Sequence, residues 1–177
     1  MPLPPLADVE VLARWMNRPA DDHAVRDALT AASARFRGEV RHPVSRVADD
    51  EVRLDGHGGT VLALPAAPVV AVSLVEVQGT RVTDFAWSRV GLLRRRHGWP
   101  DELDSVRVVY THGYEPIPED ISEAVIGEAR YLLTVQPGVT SMTVGGESVA
   151  FASPAATMPL AWTRAVDRYQ LHRGDLP

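Results

Sequence analysis

The apolar residues of this chain change period twice, and that change limits the fold more than any single motif. Between residues 21 and 40 they recur at helical spacing: Val25, Leu29, Ala32, Phe36 and Val40 step by 4, 3, 4 and 4 and make one stripe. From about 44 to 112 the stripe gives way to short β-prone runs punctuated by Gly and Pro. Val69–Val77 is the strongest run. Val106–Thr111 alternates Val106, Val108 and Tyr110 against Arg107, Val109 and Thr111, as a half-exposed strand should. After Pro118 the helical period returns, with Ile121, Val125, Ala129 and Leu132 as the buried face. The expected class is α+β: a helical body of N-terminal helices plus a helix after residue 118, an inserted strand-rich region, and a C-terminal helical arm.

Local signals divide this single domain into four zones. Zone 1–43 holds the N-terminal helices. Asp8 is placed to cap a short helix through about Met16, which Arg18-Pro19 breaks. The next helix runs from about Asp21 to Val40 and is stopped by Pro43. Asp21, Asp22 and Asp27 come early and Arg35, Arg37 and Arg41 late, an order that suits the helix dipole.

Zone 44–112 is strand-rich. Val52–Leu54 and Thr60–Leu64 flank the turn Asp55–Gly59, and Gln78-Gly79 turns Val69–Val77 into Thr80–Trp87. Val90–Leu93 is a short strand ahead of Arg94-Arg95-Arg96, and Trp99–Glu102 is loop. Zone 113–152 holds a helix ended by Pro137-Gly138. Thr140–Val144 and Ser148–Phe151 then flank Gly145-Gly146 as a hairpin or an extended loop. In the arm 153–177, Thr157 could cap a final helix along which Trp162, Val166 and Tyr169 step by 4 and 3.

The chemistry that the chain can carry is narrowed by what it lacks. Its 177 residues contain no Cys and no Lys. Disulfides, thiolate metal sites and thiol catalysis are excluded, and so are a Schiff-base or phosphate-loop lysine. The formal net charge is −5, which argues against a binder held to nucleic acid by an overall basic field. The longest apolar runs fall short of the ~20 residues of a membrane helix, and Met1–Pro5 does not read as a secretory signal. Neither GxxxxGK[ST] nor GxGxxG occurs, so no cofactor is expected.

The six histidines, His23, His42, His57, His97, His112 and His172, show no metal-ligand spacing and read as surface or turn residues. His57-Gly58-Gly59 has the look of an oxyanion loop, but no G-x-S-x-G elbow accompanies it. The acidic groups Asp49-Asp50-Glu51, Asp101-Glu102 with Asp104, and Glu119-Asp120 read as solvated loops and one helix cap. Arg94, Arg95 and Arg96 read as a solvated edge or a subunit contact with an acidic neighbour. No catalytic or metal residue is expected. A small hydrolase using His57 or His112 with a carboxylate partner stays as the competing enzymatic reading.

The string Val106–Thr111, His112-Gly113-Tyr114-Glu115-Pro116-Ile117-Pro118-Glu119-Asp120-Ile121, followed after an apolar helix by Gly138–Val144, Gly145-Gly146-Glu147 and Ser148–Phe151, resembles the head-to-tail connector (adaptor) proteins of long-tailed bacteriophages. Leu64-Pro65 with Pro68-Val69, and Gly91–Arg94, are similar to the same family's strand region. Met142 departs from the acidic residue carried by many relatives. Gly113, Pro116, Pro118, Gly145 and Gly146 would be its structural turns.

The resemblance implies a structural virion protein in the neck between capsid and tail, assembled in the host cytoplasm. It implies a ring, usually of twelve copies, under the portal protein, bound below by a further neck or tail protein. DNA would pass through without specific binding, and no membrane is involved. A tail-completion or stopper protein is the nearest alternative. Trp162, Val166 and Tyr169 are the expected aromatic and apolar anchors on the portal.

Overall fold

A computed structural model describes residues 3–134, 141–144, 147–150 and 160–171. The expectations for Pro137-Gly138, Gly145-Gly146, Thr157 and His172 lie outside the described residues. The chain forms two compact units. One joins the residues up to Arg41 with Ile117–Gln170, and the other is built on His42–Pro116.

The first unit is helical. Helix α1 spans Val9–Met16, and the Asp8 carboxylate accepts from the Glu10 amide at 2.8 Å. Helix α2 spans His23–Val40 and starts on Asp22, whose side chain accepts from the Ala24 amide at 2.8 Å. It ends because Arg41 enters the left-handed region at φ 62, before Pro43 is reached. The whole stripe Val25, Leu29, Ala32, Phe36 and Val40 is buried.

Helix α3 spans Glu119–Thr134 and buries Ile121, Val125 and Ala129. Leu132 is exposed, contrary to expectation. Its angle on the helix is right, but the buried residues of α3 stop at Ala129, so packing ends before periodicity does. Helix α4, Leu160–Tyr169, closes this core: the Trp162 ring stands edge-on to Phe36 with centroids 5.3 Å apart. The N-terminal segment is pinned in as well. Leu6 is fully buried, its amide donates to Ser33 Oγ at 3.0 Å, and its carbonyl accepts from Ser122 Oγ at 3.0 Å.

In the second unit the named strands pair antiparallel, and a single parallel bridge joins Ser45 to Tyr114. Strands β1 (Val47–Leu54), β3 (Val69–Val77), β4 (Thr80–Arg81) and β7 (Val106–His112) form one sheet in the order β1-β7-β3-β4. Strands β2 (Val61–Ala63), β5 (Phe85–Trp87) and β6 (Leu92–Arg95) form another in the order β2-β6-β5. Both contribute to one apolar core, where Leu62, Leu93, Val75, Val106, Val108 and Tyr110 meet. The alternation expected along β7 is present, with Val106, Val108 and Tyr110 inward. The Gln78-Gly79 turn has positive φ at both residues, 49 and 77, the twist that a two-residue hairpin needs.

Four strand expectations are corrected. The stretch Val52–Leu54 is the end of a longer strand beginning at Val47. Asp49-Asp50-Glu51 therefore lies on β1 rather than in a loop. The turn Asp55–Gly59 carries the chain from one sheet to the other, since β1 pairs with β7 and β2 with β6. The run Thr80–Trp87 is split: β4 pairs with β3, and β5 crosses to β6. Finally, Gly91 takes φ 89 in a turn closed by its amide on the Ser88 carbonyl. The strand therefore starts after it, at Leu92 rather than Val90, and takes in Arg94 and Arg95.

Strands β8 (Ser141–Val144) and β9 (Glu147–Ala150) pair antiparallel, so the hairpin alternative holds. Gly113 takes φ 91 where a side chain would collide with the Ser45 carbonyl. The Pro118 carbonyl accepts the Ile121 and Ser122 amides at the start of α3.

Candidate functional site

Two surfaces stand out, one in each unit. In the helical unit, α1, α3 and α4 leave a groove of about 440 Å³ whose apolar floor includes Val11, Trp15, Ala124 and Ile126. Trp15 is 60% exposed. It lies beside the stripe that α1 buries through Leu12 and Ala13. The Arg130 guanidinium sits over its ring, 4.9 Å from the centroid. Glu119 and Glu123 line the same groove, and neither has a hydrogen-bond or ion-pair partner among the described residues. At Gly127 an added Cβ would meet nothing within 4 Å.

In the strand unit, the register of the small sheet sorts the arginine run. Arg94 lies opposite Val61 on one side and Ala86 on the other, so these three share one face. Leu92, two residues from Arg94, shares it too, while Leu93 faces the core between Leu62 and Trp87. Val61 and Leu92 are exposed. Arg95 points the other way, and its Nε donates to both Asp84 carboxylate oxygens at 3.0 Å. That hydrogen bond holds the Asp84 carboxyl below its usual range. Arg94 and Arg96 have no partner among the described residues. A run that reads as one feature in sequence is thus one neutralised arginine and two free ones. A groove of about 560 Å³ lies at this end of the sheet, lined by all three.

The remaining candidates are placed as follows. Trp162 is buried, and its Nε1 donates to Glu39 Oε2 at 2.9 Å. Tyr169 is half-buried, and its hydroxyl donates to Asp120 Oδ1 at 2.9 Å. Val166 is half-buried. These side chains face the helical core, whereas Leu160 of the same helix is exposed. Asp120 is therefore more than a cap. His112 is buried on β7, against the surface or turn placement expected for the histidines, and His42 is buried in the bend after α2. His112 ends the inward-facing series of β7, and its Nε2 lies 3.1 Å from Asp50 Oδ2, with the ring packed on Tyr110 at 4.8 Å. Burial and the Asp50 charge together push the Tyr110 hydroxyl well above the usual tyrosine range. This His–carboxylate pair lines neither groove described above. His57 is exposed, and its Nδ1 accepts from the Gly59 amide at 3.2 Å.

Among the described residues no three His, Asp or Glu side chains gather as metal ligands, and no helix is long and apolar enough to cross a membrane. Sequence reasoning missed Trp15. The signal was present: Trp15 falls off the buried stripe of α1, so it must face elsewhere.

A family model described as head completion protein matches residues 9–170. The chain belongs to the head completion protein family. This agrees with the resemblance carried by Val106–Phe151. No curated protein sequence matches the chain. Among solved structures, a chain of a native gene transfer agent virion is 20% identical with a TM-score of 0.62, over 98% of this chain and 94% of that one. A chain from the neck of an empty gene transfer agent particle, computed with C6 symmetry, is 17% identical with a TM-score of 0.62, over 97% and 94%. Another, from the neck of a native particle computed with C12 symmetry, is 20% identical with a TM-score of 0.58, over the full length of both. At this identity the likeness is one of fold, and it extends over both units of this head completion family member.

Proposed function

We propose that this head completion family member is a structural ring subunit of a virion neck, set under the portal between capsid and tail. The observation that carries the reading is the family match over residues 9–170. The end-to-end fold likeness to chains of gene transfer agent necks supports it, and the C12 symmetry of one of them supports a ring of twelve. The electrostatics are compatible with a DNA channel. At a net −5 per copy, twelve copies carry roughly −60, which repels phosphate rather than gripping it. The role is one of holding copies at a fixed angle, without a bond made or broken.

Portal docking belongs to the C-terminal arm in this reading. Removing everything after Phe151 would also strip Trp162 from the helical core, so that truncation confounds folding with binding. Leu160→Asp with Arg164→Glu changes only exposed α4 residues. We expect this pair to weaken portal binding while the thermal midpoint stays put; unchanged binding refutes the docking assignment. The ring itself is tested by electron microscopy of necks from particles that encode the chain. Twelve copies in contact with the portal are expected, and a neck lacking the polypeptide sinks the reading.

A further inference from the structure

We propose that copies join head to tail, with the outer face of the β2-β6-β5 sheet of one copy seated in the α1/α3/α4 groove of the next. This rests on the ring reading above and names the surfaces that build it. Each surface has an apolar patch: exposed Val61, Ala86 and Leu92 on the sheet, and in the groove exposed Trp15 with half-buried Val11 over buried Ile126. Each carries two charges left unpaired among the described residues, Arg94 and Arg96 on the sheet, Glu119 and Glu123 in the groove. The signs are opposite.

Neither surface suits a two-fold contact with itself. Sheet on sheet would set arginines against arginines, and groove on groove would set glutamates against glutamates. Arg130 is the one cation among the described residues that line the groove, and it is stacked on Trp15. Joining unlike surfaces is the arrangement that propagates, and closes into a ring when the rotation allows. Small residues lie on both surfaces, Ala86 on the edge strand β5 and Gly127 on α3, so the backbones can approach closely there.

The chain has no cysteine, which makes the test clean. Ala86→Cys combined with Gly127→Cys, in necks of particles carrying the full chain, should give under oxidation a ladder of covalent oligomers that neither single substitution gives. Charge reversal supplies a second readout. Arg94→Glu with Arg96→Glu, or Glu119→Arg with Glu123→Arg, should each cut incorporation into necks by about tenfold or more. Co-expressing the two reversed chains should restore it, because each then meets an opposite charge on both sides.

A ring with no ladder and no response to reversal overturns this interface and leaves the ring reading intact. A Gly127→Cys chain that crosslinks to the portal or a tail protein, and not to its own kind, overturns it too. Necks without the chain overturn both.

Discussion

The two units of this chain handle charge in opposite ways. The helical unit takes a carboxylate inward. Glu128 is 2% exposed on α3 and is held by Arg35 from α2 at 2.5 Å, and Glu39 accepts from the buried Trp162. The strand unit carries its Arg107 network on the outer face of its larger sheet, apart from the Arg95–Asp84 pair of the smaller sheet and the buried His112 beside Asp50. There Arg107 reaches Glu51 at 2.7 Å and Glu76 at 2.9 Å across neighbouring strands, while Val106 and Val108 on either side of it turn into the apolar cluster. The physical reason is geometric. A strand alternates faces residue by residue, so its charges fall outside whenever its apolar residues fall inside. Helices α2, α3 and α4 pack against one another and enclose polar side chains that must then find partners.

This contrast can be broken experimentally, and the largest effect is expected where both units agree. Phe36→Ala removes the ring against which Trp162 packs and should cost about 3–5 kcal/mol in denaturant unfolding; Leu93→Ala in the strand unit should cost about 2–5 kcal/mol. Equal, small losses would mean that neither core sets stability.

Charge removal should separate the units. Arg35→Ala leaves the Glu128 carboxylate buried without its partner and should cost about 1–3 kcal/mol. Arg107→Ala strips an exposed, solvent-screened network and should cost clearly less than Arg35→Ala. Comparable losses would erase the distinction. The strand network also carries a pH signature. The Arg107 hydrogen bond holds the Glu51 carboxyl below its usual range, and the two carboxylates raise Arg107. A depressed carboxylate contributes stability above its unfolded value and loses it as pH falls through the folded one. The thermal midpoint should therefore drop on acidification below the usual glutamate range, and Arg107→Ala should flatten that part of the profile. The smallest effect is a gain. Gly38 sits in α2 with open space around its Cβ position, so Gly38→Ala should stabilise by about 0.5–1 kcal/mol. A loss there would show that the helix surface is covered.

Periodicity in the sequence was enough to place α2, α3 and the inward face of β7, and cap and turn residues were enough for α1 and the Gln78-Gly79 turn, because each depends on neighbours a few residues away. The resemblance over Val106–Phe151 was enough to reach the family. Strand partners were not legible. Nothing between Val52 and Leu64 says that the turn there leaves one sheet for another, since pairing joins residues far apart in sequence, such as Leu54 and Val106. The candidate surfaces show the same divide. Sequence marked Arg94, Arg95 and Arg96 together and favoured Trp162 as an anchor. Tertiary structure turned Arg95 onto Asp84, left Arg94 and Arg96 outward, buried Trp162 against Phe36 and exposed Trp15 instead. Local spacing fixes which side of an element a residue occupies; which side is covered depends on the element that lands on it.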